Sequence, residues 1–245
     1  MLLQRAIIFH PKKLPTHHEY KSKYAYTEHF YEFNISNENF IINAVHLAAP
    51  NSKGFVFFLH GTTNHIQYHL PKTEFFIENN YDVFLMDYPT YGKSKGKLTE
   101  DLLHKVVALT YAKAIEQATS TENIILLGRS LGTALASRLA IDVQPRSLIL
   151  VSPYYSMPDL FNSKLGLFPF KKLKFKLENF SAIPKVHCNT YIFHGNADKL
   201  IPIRLSQKLI PLLKSADHYF EIDGANHFNV HQMETFKEKL KQILA

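Results

Sequence analysis

The sequence predicts an α/β fold in which helices flank a mostly parallel central sheet. Apolar runs of strand length alternate along the chain with stretches of helical periodicity, the pattern of strands joined by crossover helices. Several of these runs, such as Phe-Val-Phe-Phe-Leu at residues 55–59, are apolar on both faces, which is typical of parallel strands covered on both sides. A Gly-Arg-Ser-Leu-Gly stretch at residues 128–132 also separates an apolar run from an Ala-rich helical segment.

The order of the predicted elements supports this fold class. Strands are predicted at residues 26–35, 40–48, 55–59, 82–86, 123–127, 147–151, 190–193 and 218–222. A polar turn at residues 36–39 joins the first two strands as a hairpin. Helices are predicted near residues 71–79, after the capping residue Thr99, after residue 131, around residues 205–212 and at the carboxyl end. Residues 1–24, rich in Pro, Lys and His, are predicted to be an extended leader with little structure.

Residues 153–184 interrupt the alternation of strands and helices. This insertion carries Phe161, Leu165, Leu167, Phe168, Phe170, Leu173, Phe175 and Leu177, with Lys164, Lys171, Lys172, Lys174 and Lys176 between them. So long a connection is typical of a functional segment, and we expect a short cap over a pocket with an open mouth. No second core is indicated, so the prediction is a single domain over residues 1–245.

Composition restricts the class of protein. With 46% hydrophobic and 20% charged residues, the 245-residue chain has the composition of an ordinary globular protein. A single cysteine, Cys188, excludes an internal disulfide and fits a reducing compartment. No signal peptide or bilayer-spanning run is evident, so we expect a soluble, cytoplasmic protein. The net charge of +7 comes from lysines spread along the chain, and no nucleic-acid-binding motif accompanies it, so no nucleic-acid partner is expected.

Ser130 is the strongest candidate for a chemically active residue. It lies in a G-x-S-x-G pattern between a predicted buried strand and a predicted helix, the context expected of a nucleophile elbow. Gly128 and Gly132 leave room for the strand and the helix to approach each other.

Five ordered blocks, covering roughly residues 40–245, resemble the α/β-hydrolase family, and within it the small bacterial serine hydrolases similar to the BEM46 group. The blocks are His60-Gly61-Thr62, Asp87-Tyr88-Pro89-Thr90-Tyr91-Gly92-Lys93-Ser94, Gly128-Arg129-Ser130-Leu131-Gly132, His194-Gly195-Asn196-Ala197-Asp198 and Gly224-Ala225-Asn226-His227. The resemblance implies an α/β-hydrolase fold and a hydrolase that works without a cofactor.

The chain order Ser130, Asp198, His227 is the order in which this fold carries its catalytic groups. The Ser130 alcohol needs a base, His227 can take and return its proton, and Asp198 can hold the imidazole tautomer. Other residues compete for the last two roles. These are His194, His218 and His231 for the base, and Asp223 and Asp217 for the acid.

Two backbone N–H groups are predicted to bind the negative oxygen that forms when the serine attacks a carbonyl. Leu131 supplies one at the start of the helix that follows the serine. Thr62 is predicted to supply the second, although Thr62-Thr63-Asn64 replaces the small residues usual after His-Gly in this family.

The sequence indicates neither a metal nor a cofactor. His65 and His69 have the i, i+4 spacing of zinc ligands on a helix, but Ile66 stands where a zinc protease needs a glutamate. No phosphate-binding loop or dinucleotide fingerprint is present.

The function predicted from these residues is hydrolysis of small carboxylic esters, with short or medium acyl chains, through an acyl-enzyme. A second hypothesis is a thioesterase or a lipid or acyl-protein hydrolase that makes weak contact with a membrane surface through its basic cap. A peptidase and a non-catalytic binding protein on the same scaffold are further alternatives. The sequence leaves the oligomeric state open.

Overall fold

A computed structural model describes residues 2–166 and 173–245 of the chain. The chain divides into two compact units, Met1–Ile125 and Leu126–Ala245. The prediction of a single domain over residues 1–245 did not include this division and stays a prediction.

The first unit combines a hairpin with alternating strands and helices. Its elements are α1 (Leu2–Ile8), β1 (His10–Pro11), β2 (Thr27–Ile35), β3 (Glu38–Leu47), β4 (Phe55–Leu59), β5 (Thr63–Asn64), α2 (Ile66–His69), α3 (Glu74–Glu78), β6 (Asp82–Met86) and α4 (Glu100–Ile115). The main strands lie in the order β4-β6-β3-β2, with β4 parallel to β6 and the hairpin strands antiparallel. Every residue of β4 and β6 is buried. The continuously apolar sequence of β4 predicts this burial, whereas β6 also buries the carboxylate of Asp82.

The hairpin turn is tighter than its sequence suggested. Only Ser36 and Asn37 connect β2 to β3, with φ of 54° and 62°, so Glu38 begins the second strand. A two-residue turn with positive φ at both positions matches the twist of the flanking strands, which explains why the loop is short.

The amino-terminal segment corrects one prediction. Residues 1–24 were expected to form an extended leader with little structure, but α1 spans Leu2–Ile8 and β1 pairs in parallel with β5. Ile8 and Phe9 are 4% and 3% exposed, so their apolar side chains anchor the segment. Periodicity does not predict the helix and strand of this segment, because they are held by the burial of these two side chains.

The second unit begins within β7 and alternates strands with helices. Its elements are β7 (Ile124–Arg129), α5 (Gly132–Val143), β8 (Ser147–Val151), α6 (Met157–Leu165), α7 (Asn179–Ala182), β9 (Asn189–Gly195), α8 (Arg204–Gln207), β10 (Tyr219–Ile222) and α9 (Glu234–Leu244). Its strands lie in the order β7-β8-β9-β10, with β8, β9 and β10 mutually parallel. The alternation and the mostly parallel pairing confirm the predicted fold class.

Two predicted helices are shorter and broken, and a proline stands at each break. The helix expected near residues 71–79 consists of the 3-10 helix Leu70–Lys72 and α3. The helix expected around residues 205–212 consists of α8 and the 3-10 helix Ile210–Leu212. Pro71 and Pro211 lack the N–H that a continuous helix needs, so each sits in the first turn of a new segment.

The insertion at residues 153–184 contains α6 and α7. Phe175 and Leu177 are buried rather than presented to a pocket mouth. The predicted cap residues Leu167, Phe168, Phe170, Lys171 and Lys172 lie outside the described residues. The role of the insertion as a cap therefore stays a prediction. In the part of the chain that the structure describes, no helix is long and apolar enough to cross a bilayer.

Candidate functional site

Ser130 occupies a strained turn between β7 and α5. Its φ is +53°, a left-handed conformation that costs a non-glycine residue energy and is characteristic of functional sites. Its N–H donates to the Val151 carbonyl at 2.9 Å, and its carbonyl accepts from the N–H and the hydroxyl of Thr133 at 3.0 and 2.6 Å. These bonds hold the turn open at the end of the strand, as expected for a nucleophile elbow.

Gly128 allows the strand and the helix on either side of Ser130 to pack closely. A Cβ on Gly128 would lie 2.6 Å from the carbonyl oxygen of Gly132 and from Cα of Thr133, both backbone atoms. Since backbone atoms cannot yield at that distance, any side chain here would push α5 away from β7.

Asp198 and His227 form a buried hydrogen-bonded pair. Nδ1 of His227 lies 2.7 Å from Oδ2 of Asp198, and the two residues are 4% and 6% exposed respectively. A carboxylate oxygen can only accept, so Nδ1 carries the proton and Nε2 is the nitrogen left to act as a base. The Oδ1 atom of Asp198 accepts from the N–H groups of Leu200 and Ile201, both at 2.8 Å.

The loops that carry this pair meet through their backbones. The N–H of Ala197 donates to the carbonyl of Ala225 at 2.9 Å. A Cβ on Gly195 would lie 2.2 Å from that same carbonyl oxygen. Glycine is therefore required at position 195 for the Asp198 loop to approach the His227 loop.

The environment of the pair displaces both pKa values downward. Burial alone would raise the pKa of Asp198, but hydrogen bonds from His194, His227 and backbone N–H groups hold it below its ordinary range. Burial lowers the pKa of His227, and this effect outweighs the raising influence of Asp198. At neutral pH the site therefore holds an ionised carboxylate beside a neutral imidazole.

Arg129 links the serine turn to the His227 loop. Its Nη2 donates to the backbone carbonyl of His227. Because Arg129 directly precedes Ser130, this bond fixes the strand end relative to the loop that carries the imidazole.

The Ser130 hydroxyl makes no hydrogen bond within the described residues. A hydrogen bond between a catalytic serine and its base often forms fully only when substrate is bound.

Four of the five competing acids and histidines make their contacts away from the Asp198–His227 pair, in the second unit. Asp223 is exposed and accepts from Asn196, and Asp217 is exposed in a 3-10 helix. His218 packs against Tyr191 with ring centroids 4.5 Å apart, and His231 lies in the 3-10 helix Val230–Gln232. His194 differs from them, because it lies next to Asp198 in space.

The two predicted oxyanion donors each have an available N–H group. In the described portion of the chain no acceptor binds the N–H of Leu131, which immediately precedes α5, or the N–H of Thr62 in the first unit. The Thr62 carbonyl accepts from the His10 N–H and the Tyr91 hydroxyl, and its hydroxyl donates to Ile8. The oxyanion roles of Leu131 and Thr62 stay predictions.

Sequence reasoning missed Asn179, which supports the serine turn from α7. Its amide donates to Thr133 Oγ1 at 3.1 Å and to the Tyr154 carbonyl at 2.8 Å, and it accepts from Ser137 at 2.9 Å. Thr133 in turn binds the Ser130 carbonyl, so Asn179 stabilises the turn through one intermediate side chain. A lone asparagine within the insertion at residues 153–184 gives no sequence signal for this role.

Metal-binding groups are not clustered in the described structure. Among residues 2–166 and 173–245, no group of three or more His, Cys, Asp or Glu side chains has an arrangement that could hold a metal ion. His65 and His69 belong to the first unit, and His69 stacks on His60 with ring centroids 5.0 Å apart. The expectation of no metal and no cofactor stays a prediction.

The family assignment follows from a match that covers more than half of the chain. Residues 50–181 match the Hydrolase_4 family, described as serine aminopeptidase, S33. The chain belongs to this family. The α/β-hydrolase resemblance inferred from the five sequence blocks is thereby confirmed, and the protein is a member of a hydrolase family.

Curated relatives agree with this assignment. The chain is similar to alpha/beta hydrolase domain-containing protein 17B of Homo sapiens, with 27% identity over 205 residues, 80% of this chain and 68% of the relative. It is also similar to protein 17C of Xenopus tropicalis, with 28% identity over 170 residues, 68% of this chain and 53% of the relative. The match therefore spans only about half the length of the Xenopus relative.

Solved structures share the fold. The esterase Pf2001 of Pyrococcus furiosus has a TM-score of 0.74 at 16% identity, covering 97% of this chain and 96% of that one. Est1E of Butyrivibrio proteoclasticus, solved with ferulic acid, has a TM-score of 0.70 at 19% identity, covering 86% and 96%. At these identities the likeness establishes the α/β-hydrolase fold alone.

Proposed function

We propose that the protein is a serine hydrolase that cleaves carboxylic esters through an acyl-enzyme. The observation that carries the proposal is the 2.7 Å bond between Asp198 and His227, buried on loops tied to the elbow residue Ser130 through Arg129. An ionised acid, a neutral base and a serine at a strained strand end are the components that nucleophilic acyl transfer requires.

The proposed reaction has two steps, acylation of Ser130 and hydrolysis of the acyl-enzyme. In the first, Nε2 of His227 takes the Ser130 hydroxyl proton while Oγ bonds to the ester carbonyl carbon. The proton then passes to the departing alcohol oxygen as its bond to carbon breaks. In the second, water gives a proton to His227 and attacks the acyl carbon, and Oγ recovers the proton as the acid is released. Asp198 stays ionised throughout and stabilises the transient imidazolium.

The Leu131 N–H supports the negative oxygen of each tetrahedral intermediate in this proposal. A preorganised oxyanion donor contributes roughly 3 kcal/mol to such a transition state. Its position just before α5 adds the favourable end of the helix dipole. Thr62 stays the predicted second donor.

Exposed apolar side chains beside the Asp198–His227 pair favour a substrate with an apolar group. Leu200 is 37% exposed two residues after Asp198, and Phe228 is 52% exposed directly after His227. The Phe228 ring meets the His227 ring edge-on, with centroids 5.4 Å apart. Esters with short or medium acyl chains fit this surrounding. The cytoplasmic location stays a prediction.

Hydrolysis of p-nitrophenyl esters of increasing acyl length, by the parent and by Ser130→Ala, tests the proposal. We expect the variant to lose about 10³-fold or more in kcat. A fluorophosphonate probe should add to Ser130 in the folded parent and leave the variant unlabelled. Equal ester turnover by the two proteins, or no adduct on Ser130, would instead identify a binding protein on a hydrolase scaffold.

A peptidase is the second candidate, because the matching family is described as serine aminopeptidases. The same groups can protonate an amine leaving group through His227. Aminoacyl p-nitroanilides measured beside the esters, with Ser130→Ala as the control, separate the two activities. Faster turnover of the anilides would reassign the substrate without changing the catalytic residues. Acyl-matched thioesters in the same assay test the thioesterase alternative.

A further inference from the structure

His194 is a buried titratable group that the proposed reaction does not use. It lies in β9, has no exposed surface and stands four residues before Asp198. Its Nε2 is 2.9 Å from the carbonyl oxygen of Ile201 and 3.4 Å from Oδ2 of Asp198. Both atoms can only accept a hydrogen bond, so Nε2 carries a proton that faces the two of them.

The other ring nitrogen is consistent with this tautomer. Nδ1 of His194 is buried and has no hydrogen-bond partner among the described residues. A proton on Nδ1 would face no acceptor, so the tautomer with its proton on Nε2 matches the surroundings of the ring. His194 therefore acts as a fixed donor directed at the loop that begins with Asp198.

That loop is closed by bonds at both of its ends. The Ile201 N–H donates to Oδ1 of Asp198, while the Ile201 carbonyl binds His194. Oδ2 of Asp198 consequently faces two imidazoles, with Nδ1 of His227 at 2.7 Å and Nε2 of His194 at 3.4 Å. Because the Leu200 N–H also donates to Oδ1, rotation of the carboxylate would break contacts with four partners at once, so these contacts together fix its orientation.

We propose that His194 is a positioning residue that fixes the Asp198 loop and carboxylate so that Oδ2 meets Nδ1 of His227. The inference rests on the proposed function, in which Asp198 orients the catalytic base. His194 touches neither substrate nor reacting atoms in this scheme. It acts on the reaction only through Asp198.

Two substitutions at His194 separate the effect of its hydrogen-bond donor from the effect of its packing volume. His194→Leu fills a similar volume without a donor, whereas His194→Gln can place an amide N–H near the position of Nε2. We expect His194→Leu to lower kcat about 10- to 100-fold with KM changed by less than about twofold, because a misplaced base costs rate rather than binding. His194→Gln should recover most of this loss.

A spectroscopic signal reports the same interaction independently of turnover. The proton between Nδ1 of His227 and Asp198 should give a low-field proton NMR resonance in the parent. We expect it to weaken or move upfield in His194→Leu and to return in His194→Gln. His218→Leu is the matched control, since His218 packs against Tyr191 and should leave kcat and the resonance unchanged.

The outcomes are decisive in both directions. The inference is overturned if folded His194→Leu keeps the kcat and the resonance of the parent. It is also overturned if His194→Gln has a kcat no higher than that of His194→Leu while the two variants have equal melting temperatures. If His194→Leu does not fold, His194→Asn replaces it, because its shorter amide cannot reach the Nε2 position. Asn activity equal to that of Gln would then overturn the inference. If the parent shows no Ser130-dependent turnover, the proposed function fails, and the resonance alone decides the role of His194.

Discussion

Oδ2 of Asp198 accepts a 2.7 Å hydrogen bond from Nδ1 of His227, although 29 positions separate the two residues in the chain. The bond exists because the loops after β9 and β10 touch where Gly195 has no side chain. It sets the tautomer of the imidazole, and with it the nitrogen that is able to take a proton from Ser130.

Asp198→Asn should lower kcat of ester hydrolysis by about 10³- to 10⁴-fold with little change in KM, because an amide no longer enforces the productive tautomer. Asp223→Asn is the matched control, since Asp223 is exposed and accepts from Asn196 rather than from His227. Steady-state kinetics of both variants measures the difference. Equal losses in the two would remove Asp198 from its proposed role.

The acid limb of kcat/KM should have its midpoint below pH 6.5, the ordinary value for histidine. The base works only when neutral, and burial lowers the pKa of His227, so activity is kept until the pH falls through that lower value. A pH profile with circular dichroism at each point separates titration from unfolding. A midpoint above 6.5 would show that the Asp198 charge outweighs burial.

Gly195→Ala should abolish most activity and lower the free energy of unfolding by about 1–3 kcal/mol, because the new Cβ collides with the Ala225 backbone. Gly224→Ala is the comparison. Its Cβ meets nothing within 4 Å, so only the positive φ of 65° opposes it, at roughly 1 kcal/mol. Urea unfolding and ester turnover distinguish them. Activity loss in Gly224→Ala as severe as in Gly195→Ala would argue against the close approach of the loops.

Phe228→Ala should raise KM for esters with longer acyl or aryl groups by about fivefold, since loss of a half-exposed aromatic contact removes roughly 1 kcal/mol of binding. Acetyl esters should be little affected. Leu109→Ala on α4 removes another large exposed apolar side chain, 42% exposed, and should leave KM unchanged. An acyl-length series on the three proteins gives the answer. A KM independent of Phe228 at every length would exclude it from the substrate contact.

Asp82→Asn should lower the free energy of unfolding by about 2–4 kcal/mol without touching the candidate active residues. Asp82 is fully buried and accepts from the N–H groups of Ala49 and Thr119 at 2.8 and 3.0 Å. Burial raises its pKa, but hydrogen bonds from His46, Ala49 and Thr119 override that effect and hold the pKa below its usual range.

The sign of the pH effect follows from that lowered pKa. The Asp82 contribution is complete above the unfolded-state pKa of about 3.9 and is lost as pH falls toward the lower folded-state value. The gap between parent and Asp82→Asn in urea unfolding should therefore shrink between pH 7 and pH 3. Asp101→Asn, whose side chain is 72% exposed, should change stability by less than about 0.5 kcal/mol. A constant gap at all pH values would show that the carboxylate charge contributes nothing.

By itself the sequence determined the class of fold and predicted a set of candidate site residues. Continuous apolar runs such as Phe55–Leu59 specify buried strands, and Gly128 before Ser130 indicates a close approach that a side chain would block, because both signals are local. The same holds for Thr99, whose hydroxyl caps α4 by accepting from Leu102 at 3.3 Å.

Only the tertiary structure decided which groups face one another. The same side chain occurs at Asp198, Asp217 and Asp223. The hydrogen bond to His227, which joins two loops, distinguishes Asp198 from the other two. Asn179 gave no signal because its partners are distant in sequence. The sequence presented His194 only as a competing base, because its contact with Asp198 becomes visible only in the folded structure. Local patterns report backbone conformation and burial, whereas the orientation of a carboxylate or an imidazole depends on long-range packing that no short stretch of sequence encodes.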